Sequence, residues 1–122
     1  MAIRQGEIYW VDFVDPLGPS PDYQRPHVVV QNDFFNGSHV NGVIVCELTT
    51  NLSRVRLAGN VLLDPGEGDL PKQSVVLVSQ LHTVDKHALG ERIGTLSPKR
   101  VRQVLDGIEL YLRPQRVRLP VV

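Results

Sequence analysis

At 122 residues with 42% hydrophobic side chains, the chain has the length of one domain and enough apolar material for a packed core. Thirteen Lys/Arg balance thirteen Asp/Glu, which excludes a blanket basic coat for nucleic acid. The balance is uneven, with 5 basic and 9 acidic side chains over residues 1–80 against 8 and 4 over residues 81–122; such asymmetry allows a local basic groove or an acidic partner.

The N-terminal Met-Ala-Ile-Arg-Gln-Gly lacks the apolar core of a secretory signal. No apolar run approaches the ~20 residues of a membrane span, so a cytoplasmic protein without membrane contact is expected. The segment from Glu7 to Phe13 is rich in β-formers and stops at Asp15-Pro16, where proline removes a ladder donor. Tyr9 and Trp10 alternate along it, one facing in and the other out, and Trp10 is read as the buried one. A loop with Pro16, Pro19 and Pro21 leads to a second strand, His27 to Gln31. Asp33 to Gly37 reads as a turn or a single helical turn.

Val43 to Leu48 forms a third strand, and the apolar run Val43 to Cys46 in it suggests burial on both faces. Cys46 lies inside it, the chain's one cysteine, so no internal disulfide or cysteine zinc cluster exists and a core role is expected. Asn51 to Leu57 is polar and basic. Asn60 to Leu63 is a short strand halted by Asp64-Pro65-Gly66, and Ser74 to Leu81 is the fifth and most regular one. Lys86 to Leu89 reads as one helical turn ended by Gly90, and Glu91 to Leu96 as a last strand.

Helix is predicted from Pro98 to Leu112. Ser97 caps it, Pro98 suits its first position, and Val101, Val104, Leu105, Ile108 and Leu112 share one face. Gly107 weakens it by about 1 kcal/mol relative to alanine, so packing must hold it. The tail after Pro114 reads as extended. Short strands with one terminal helix fit a mainly β fold, a small curved antiparallel barrel carrying an amphipathic helix.

The stretch with most chemical content is Gln24 to Asn32. Pro26 fixes its own φ and pushes Arg25 out of the α region. A guanidinium on such a restricted backbone is suited to gripping phosphate, although Arg-Pro is also an ordinary way into a sheet. His27 follows two residues later and is read as an exposed edge-strand histidine, with a proton-carrying role as the alternative. The four histidines, His27, His39, His82 and His87, show no metal-ligand spacing, so neither a metal nor a cofactor is expected.

Gly6 to Asp12, Gln24 to Asn32, Leu48-Thr49-Thr50, Ser74 to Leu81 and Thr83 to Lys86, taken in order, resemble the MazF/PemK family of toxin endoribonucleases. The resemblance runs nearly the whole chain up to Leu112 and implies an SH3-like barrel with a C-terminal helix. It implies Arg25 and Thr49 as the catalytic pair, with Thr50 the alternative hydroxyl. It also places Ser53, Arg54 and Arg56 beside an RNA groove, with a solvated loop the other reading; the Gln80 amide at the end of the fifth strand is suited either to reading base edges or to capping sheet hydrogen bonds.

Ser20 stands where the family commonly has a glutamate, in a stiffer loop than usual. The implied activity is metal-independent cutting of single-stranded RNA, leaving a 2′,3′-cyclic phosphate and a 5′-hydroxyl. Implied partners are a second copy of the chain and an acidic antitoxin whose disordered tail folds on binding. Two other readings stay open, a CcdB-like gyrase poison and a non-catalytic barrel that binds nucleic acid or protein. The first is disfavoured because the only tryptophan is Trp10, far from the C-terminus.

Overall fold

The computed structural model describes residues 2–12 and 24–115. Among them, six strands form one antiparallel sheet: β1 (Glu7–Asp12), β2 (Gln24–Val29), β3 (Gly42–Thr49), β4 (Val61–Leu63), β5 (Ser74–Asp85) and β6 (Leu89–Thr95). They lie in the order β4-β5-β3-β2-β1-β6. A single helical turn, α1 (Asp33–Asn36), follows β2, and α2 (Pro98–Leu112) closes the described fold. The predicted helix has these same bounds, with Ser97 Oγ accepting from the Arg100 amide at 3.2 Å.

The sheet is open, since β4 and β6 do not pair, yet it rolls up like a barrel. Val61 and Leu63 from one edge share a core with Leu96, just past the other edge strand, around Ile8, Val28, Cys46, Leu48, Val76, Val78 and Val104. A second core lies on the opposite face, built from Ile3, Tyr9, Val11, Val29, Val43, Val45 and Leu89. Alternation along each strand divides the two sets, as the period of two requires.

Helix α2 packs on the first core through Val101, Val104 and Ile108. Leu112, expected on that face, is 68% exposed and takes no part in this packing. Gly107 explains itself here. A Cβ at this position would collide with the carbonyl oxygen of Gly59, so the glycine permits the close approach of helix and loop that offsets its low propensity. Arg100 adds a bidentate clamp, with Nε and Nη2 each 2.9 Å from a Glu67 carboxylate oxygen.

Three expectations are corrected. Tyr9 is the buried member of its pair, 1% exposed, with its hydroxyl donating to Glu7 Oε1 at 2.9 Å, while Trp10 is only partly buried. Burial and that carboxylate raise the Tyr9 pKa to about 12. On β3, Ile44 is exposed, so that strand is not covered on both faces throughout. His27 is a buried residue of a central strand, not an exposed edge residue, because β2 lies between β1 and β3.

No helix among the described residues is long and apolar enough to cross a membrane.

Candidate functional site

Sheet register assembles the site. His27 of β2 pairs with Glu47 of β3, and the antiparallel strands place Arg25 and Thr49 two residues beyond that pair at the same end of the sheet. Pairing with β3 begins at His27, so Pro26 sits where β2 has a hydrogen-bonded neighbour only in β1. A central strand tolerates proline there, and the missing ladder leaves an opening beside Arg25.

A bulge widens the opening. Cys46 pairs with Leu81 and Leu48 with Val76, so the single residue Glu47 faces the whole segment 77–80 of β5. Such bulges re-aim side chains and end pairing. Here the result is a cleft of about 460 Å³ whose lining includes Arg25, Glu47, Thr49, Arg54, Ser79 and Gln80.

Arg25 and Thr49 also line a second cleft of about 360 Å³, together with Trp10, Thr50, Lys72 and Ser74. The two clefts therefore meet at Arg25 and Thr49. Among the described residues lining them, Arg25, Arg54 and Lys72 supply cations and Glu47 the one carboxylate, a positive balance. All three cations belong to the half of the sequence with excess acid, and the basic C-terminal half contributes none of them. Charge counted along the chain did not locate this groove, because folding regroups it.

Each side chain is held by its neighbours. Arg25 Nε lies 3.3 Å from Glu47 Oε1. Thr49 Oγ1 accepts from the Asn51 amide at 3.1 Å, which fixes the hydroxyl oxygen and leaves its proton able to point elsewhere. Asn51 caps the 3-10 turn Leu52–Arg56, its Oδ1 accepting from the Ser53 amide and hydroxyl at 3.2 and 2.7 Å. Asn60 fastens that turn to β5, donating to the Arg54 carbonyl at 2.9 Å and accepting from the Val78 amide at 3.1 Å.

Of the residues singled out from sequence, Arg25, Thr49, Thr50, Arg54 and Gln80 line the clefts. Ser53 is spent on the Asn51 cap and Arg56 is exposed outside the lining. Ser20 and the proline-rich loop lie outside the described residues. Cys46 is buried, its thiol donating to the Leu77 carbonyl at 2.9 Å, and burial with the Glu47 charge pushes its pKa up to about 12. It is a core residue and no nucleophile. No cluster of three or more His, Cys, Asp or Glu suited to a metal ion occurs among the described residues.

His27 Nδ1 lies 2.9 Å from the Arg25 carbonyl oxygen, and its ring packs at 5.7 Å from that of His82. A carbonyl only accepts, so Nδ1 carries the proton and the imidazole braces the Arg25 backbone from inside the sheet. Burial lowers its pKa below 6.5. The unfolded chain therefore binds a proton first as pH falls, and stability is full above the unfolded value and is lost between there and the lower folded value. Urea midpoints followed between roughly pH 8 and pH 5 should drop on the acid side, and His27→Val should flatten that drop. An equal drop in the variant would contradict the assignment.

Sequence reasoning missed Glu47. Its signal was a lone carboxylate inside the apolar run Val43 to Leu48, since such a group is seldom buried without a partner.

Residues 4–112 match the family of PemK-like, MazF-like toxins of type II toxin-antitoxin systems. The endoribonuclease MazF6 of Mycobacterium tuberculosis is 35% identical over 112 residues, covering 92% of this chain and 98% of that protein. The endoribonuclease MazF of Staphylococcus saprophyticus is 30% identical over 116 residues, covering 95% and 96%. Among solved structures, a mycobacterial endoribonuclease in complex with its cognate antitoxin superposes with a TM-score of 0.75 at 23% identity, over 93% of this chain and 99% of that one. A MazE-MazF structure from Deinococcus radiodurans gives 0.72 at 17% identity, over 94% and 99%.

Proposed function

As the chain belongs to the PemK-like, MazF-like toxin family of type II toxin-antitoxin systems, we propose that it is an endoribonuclease that cuts single-stranded RNA without a metal, with Arg25 and Thr49 at the reacting phosphate. The observation that carries this reading is the convergence of a guanidinium and a threonine hydroxyl where two clefts meet. Relatives named as endoribonucleases support it over nearly their full length.

Cleavage of this kind uses the 2′-hydroxyl of RNA as nucleophile on its own 3′-phosphate. Negative charge builds on the phosphoryl oxygens as the 2′-oxygen bonds to phosphorus and the 5′-oxygen leaves. Arg25 opposes that charge, being protonated at any physiological pH and shaped to match phosphate oxygens. Thr49 donates its hydroxyl proton to one of the same oxygens, while the Asn51 amide holds its oxygen in place. The products are a 2′,3′-cyclic phosphate and a 5′-hydroxyl.

Single-stranded RNA fits a surface of this type because its splayed bases present edges and faces to side chains. Trp10 in one cleft offers a face for stacking, and Gln80 in the other offers an amide for a base edge. Arg54 and Lys72 hold flanking phosphates, so binding weakens as salt rises.

An acidic antitoxin is the proposed protein partner, as the related mycobacterial endoribonuclease is complexed with its cognate antitoxin. The working unit is proposed to be a homodimer, which lengthens the groove beyond one small sheet. Light scattering at micromolar concentration is expected to give twice the chain mass; particles of 13.6 kDa with full activity would contradict it.

The function itself is tested by incubating purified protein and EDTA with mixed RNA and DNA oligonucleotides. Cuts in RNA alone are expected. No cleavage, or cleavage abolished by EDTA, would overturn the reading.

A further inference from the structure

Transfer of the 2′-hydroxyl proton needs an acceptor, and neither residue of the proposed pair supplies one. Arg25 stays protonated, so it has no lone pair to offer, and the Thr49 hydroxyl is a donor far too weakly basic for the task. Among the described residues lining the two clefts, Glu47 is the sole carboxylate. It lies on β3 two residues before Thr49, with Oε1 3.3 Å from Arg25 Nε.

Its surroundings are unusual for an acidic side chain. Glu47 is 9% exposed, in a strand otherwise apolar from Val43 to Leu48. A position opposite the β5 bulge removes the usual ladder neighbour and turns the carboxylate toward the open cleft rather than toward a paired strand. A buried acid costs stability unless it is paired, and here Arg25 supplies the pairing from a guanidinium that is itself 41% exposed at the cleft. The arrangement makes sense if the carboxylate has work to do in the cleft.

We propose that Glu47 is the general base of the cleavage reaction, an assignment that rests on the ribonuclease reading above. The carboxylate takes the proton from the 2′-hydroxyl as the 2′-oxygen bonds to phosphorus. The bond from phosphorus to the 5′-oxygen breaks with its electron pair on that oxygen, which takes a proton from water. Glu47 then returns its proton to the hydroxide so formed, and no oxidant, metal or net water is consumed. Arg25 serves both ends of the step, holding Glu47 on one side and the phosphate on the other. Among the described residues, the other titratable or charged groups around Glu47 are Arg25 and His27 of β2, Arg54 of the 3-10 turn and, behind His27, His82 of β5.

Glu47→Gln separates this role from mere positioning, because an amide oxygen still accepts from Arg25 Nε but is no proton acceptor. Single-turnover cleavage of an RNA oligonucleotide is expected to fall by ~10²- to 10⁴-fold in Glu47→Gln. Affinity for the same oligonucleotide with a 2′-deoxy cut site should stay near that of wild type. The acid limb of the pH-rate profile should vanish in Glu47→Gln, and added formate should restore part of the rate to Glu47→Ala.

A Glu47→Gln rate within about tenfold of wild type, or a Glu47→Ala rate indifferent to formate, would overturn the assignment while leaving the ribonuclease reading intact. A wild type that cuts no RNA removes both. Should Glu47→Gln fail to fold, the wild-type profile still decides: a rate that rises with pH on the acid side is expected, and a flat one overturns the assignment.

Discussion

Arg25→Ala is expected to lower RNA cleavage by ~10³-fold or more, the scale of losing a preorganised charge at a transferring phosphoryl group. The side chain is 41% exposed and pairs with Glu47 at the cleft, so its loss removes little packing. The protein should stay folded, with an unchanged urea slope and a modest shift of midpoint. Arg25→Lys tests the geometry, since an ammonium keeps the charge and loses the planar fork. It should recover only part of the rate. A folded Arg25→Ala protein that cleaves at the wild-type rate would show that the guanidinium does not meet the phosphate.

Thr49→Ala should cost ~10²-fold, the low end for one donor to a developing oxyanion. Thr50→Ala is the control. Both threonines line the same cleft, but Thr49 also lines the second one and has its oxygen fixed by the Asn51 amide. Thr50 is exposed at the strand end. A near-normal Thr50→Ala beside a crippled Thr49→Ala is therefore expected, and single-turnover rates on one oligonucleotide compare them directly. Equal losses would move the role to both hydroxyls, and a loss confined to Thr50→Ala would reverse the assignment.

Local chemistry made much of this molecule legible before any coordinates. Ser97, Pro98 and the apolar spacing bounded α2 correctly because a cap, a fixed φ and a period of 3.6 are all properties of neighbouring residues. Arg25 stood out at the strand entry that Pro26 sets, while its pairing with Thr49 was what the MazF/PemK resemblance implied; the fold brings both to the lining of the same two clefts. What remained hidden was set by pairing between distant segments.

Tyr9 and Trp10 show this most simply, since alternation says that they face opposite ways and only the neighbouring strands say which way is in. His27 was read as an exposed edge residue, next to Pro26. The sheet order puts β2 between β1 and β3, and the unpaired side of Pro26 satisfies the same proline rule in the middle of the sheet. Glu47 was overlooked altogether. Its importance depends on the bulge in β5, where residues 77–80 face one residue of β3, and nothing in either strand alone announces that mismatch. The run Ser74 to Leu81 likewise read as shorter than the observed Ser74–Asp85.

The most direct test of RNA cleavage by 2′-hydroxyl attack is mass spectrometry of the products from one oligonucleotide, cut in EDTA, alongside its twin with a single 2′-deoxy substitution at the mapped cut site. The expected result is a 5′ fragment ending in a 2′,3′-cyclic phosphate, a 3′ fragment with a free 5′-hydroxyl, and no cut at the substituted position. Cleavage of the deoxy twin at the same position, or a 5′-phosphate on the downstream fragment, would contradict the mechanism at its first step.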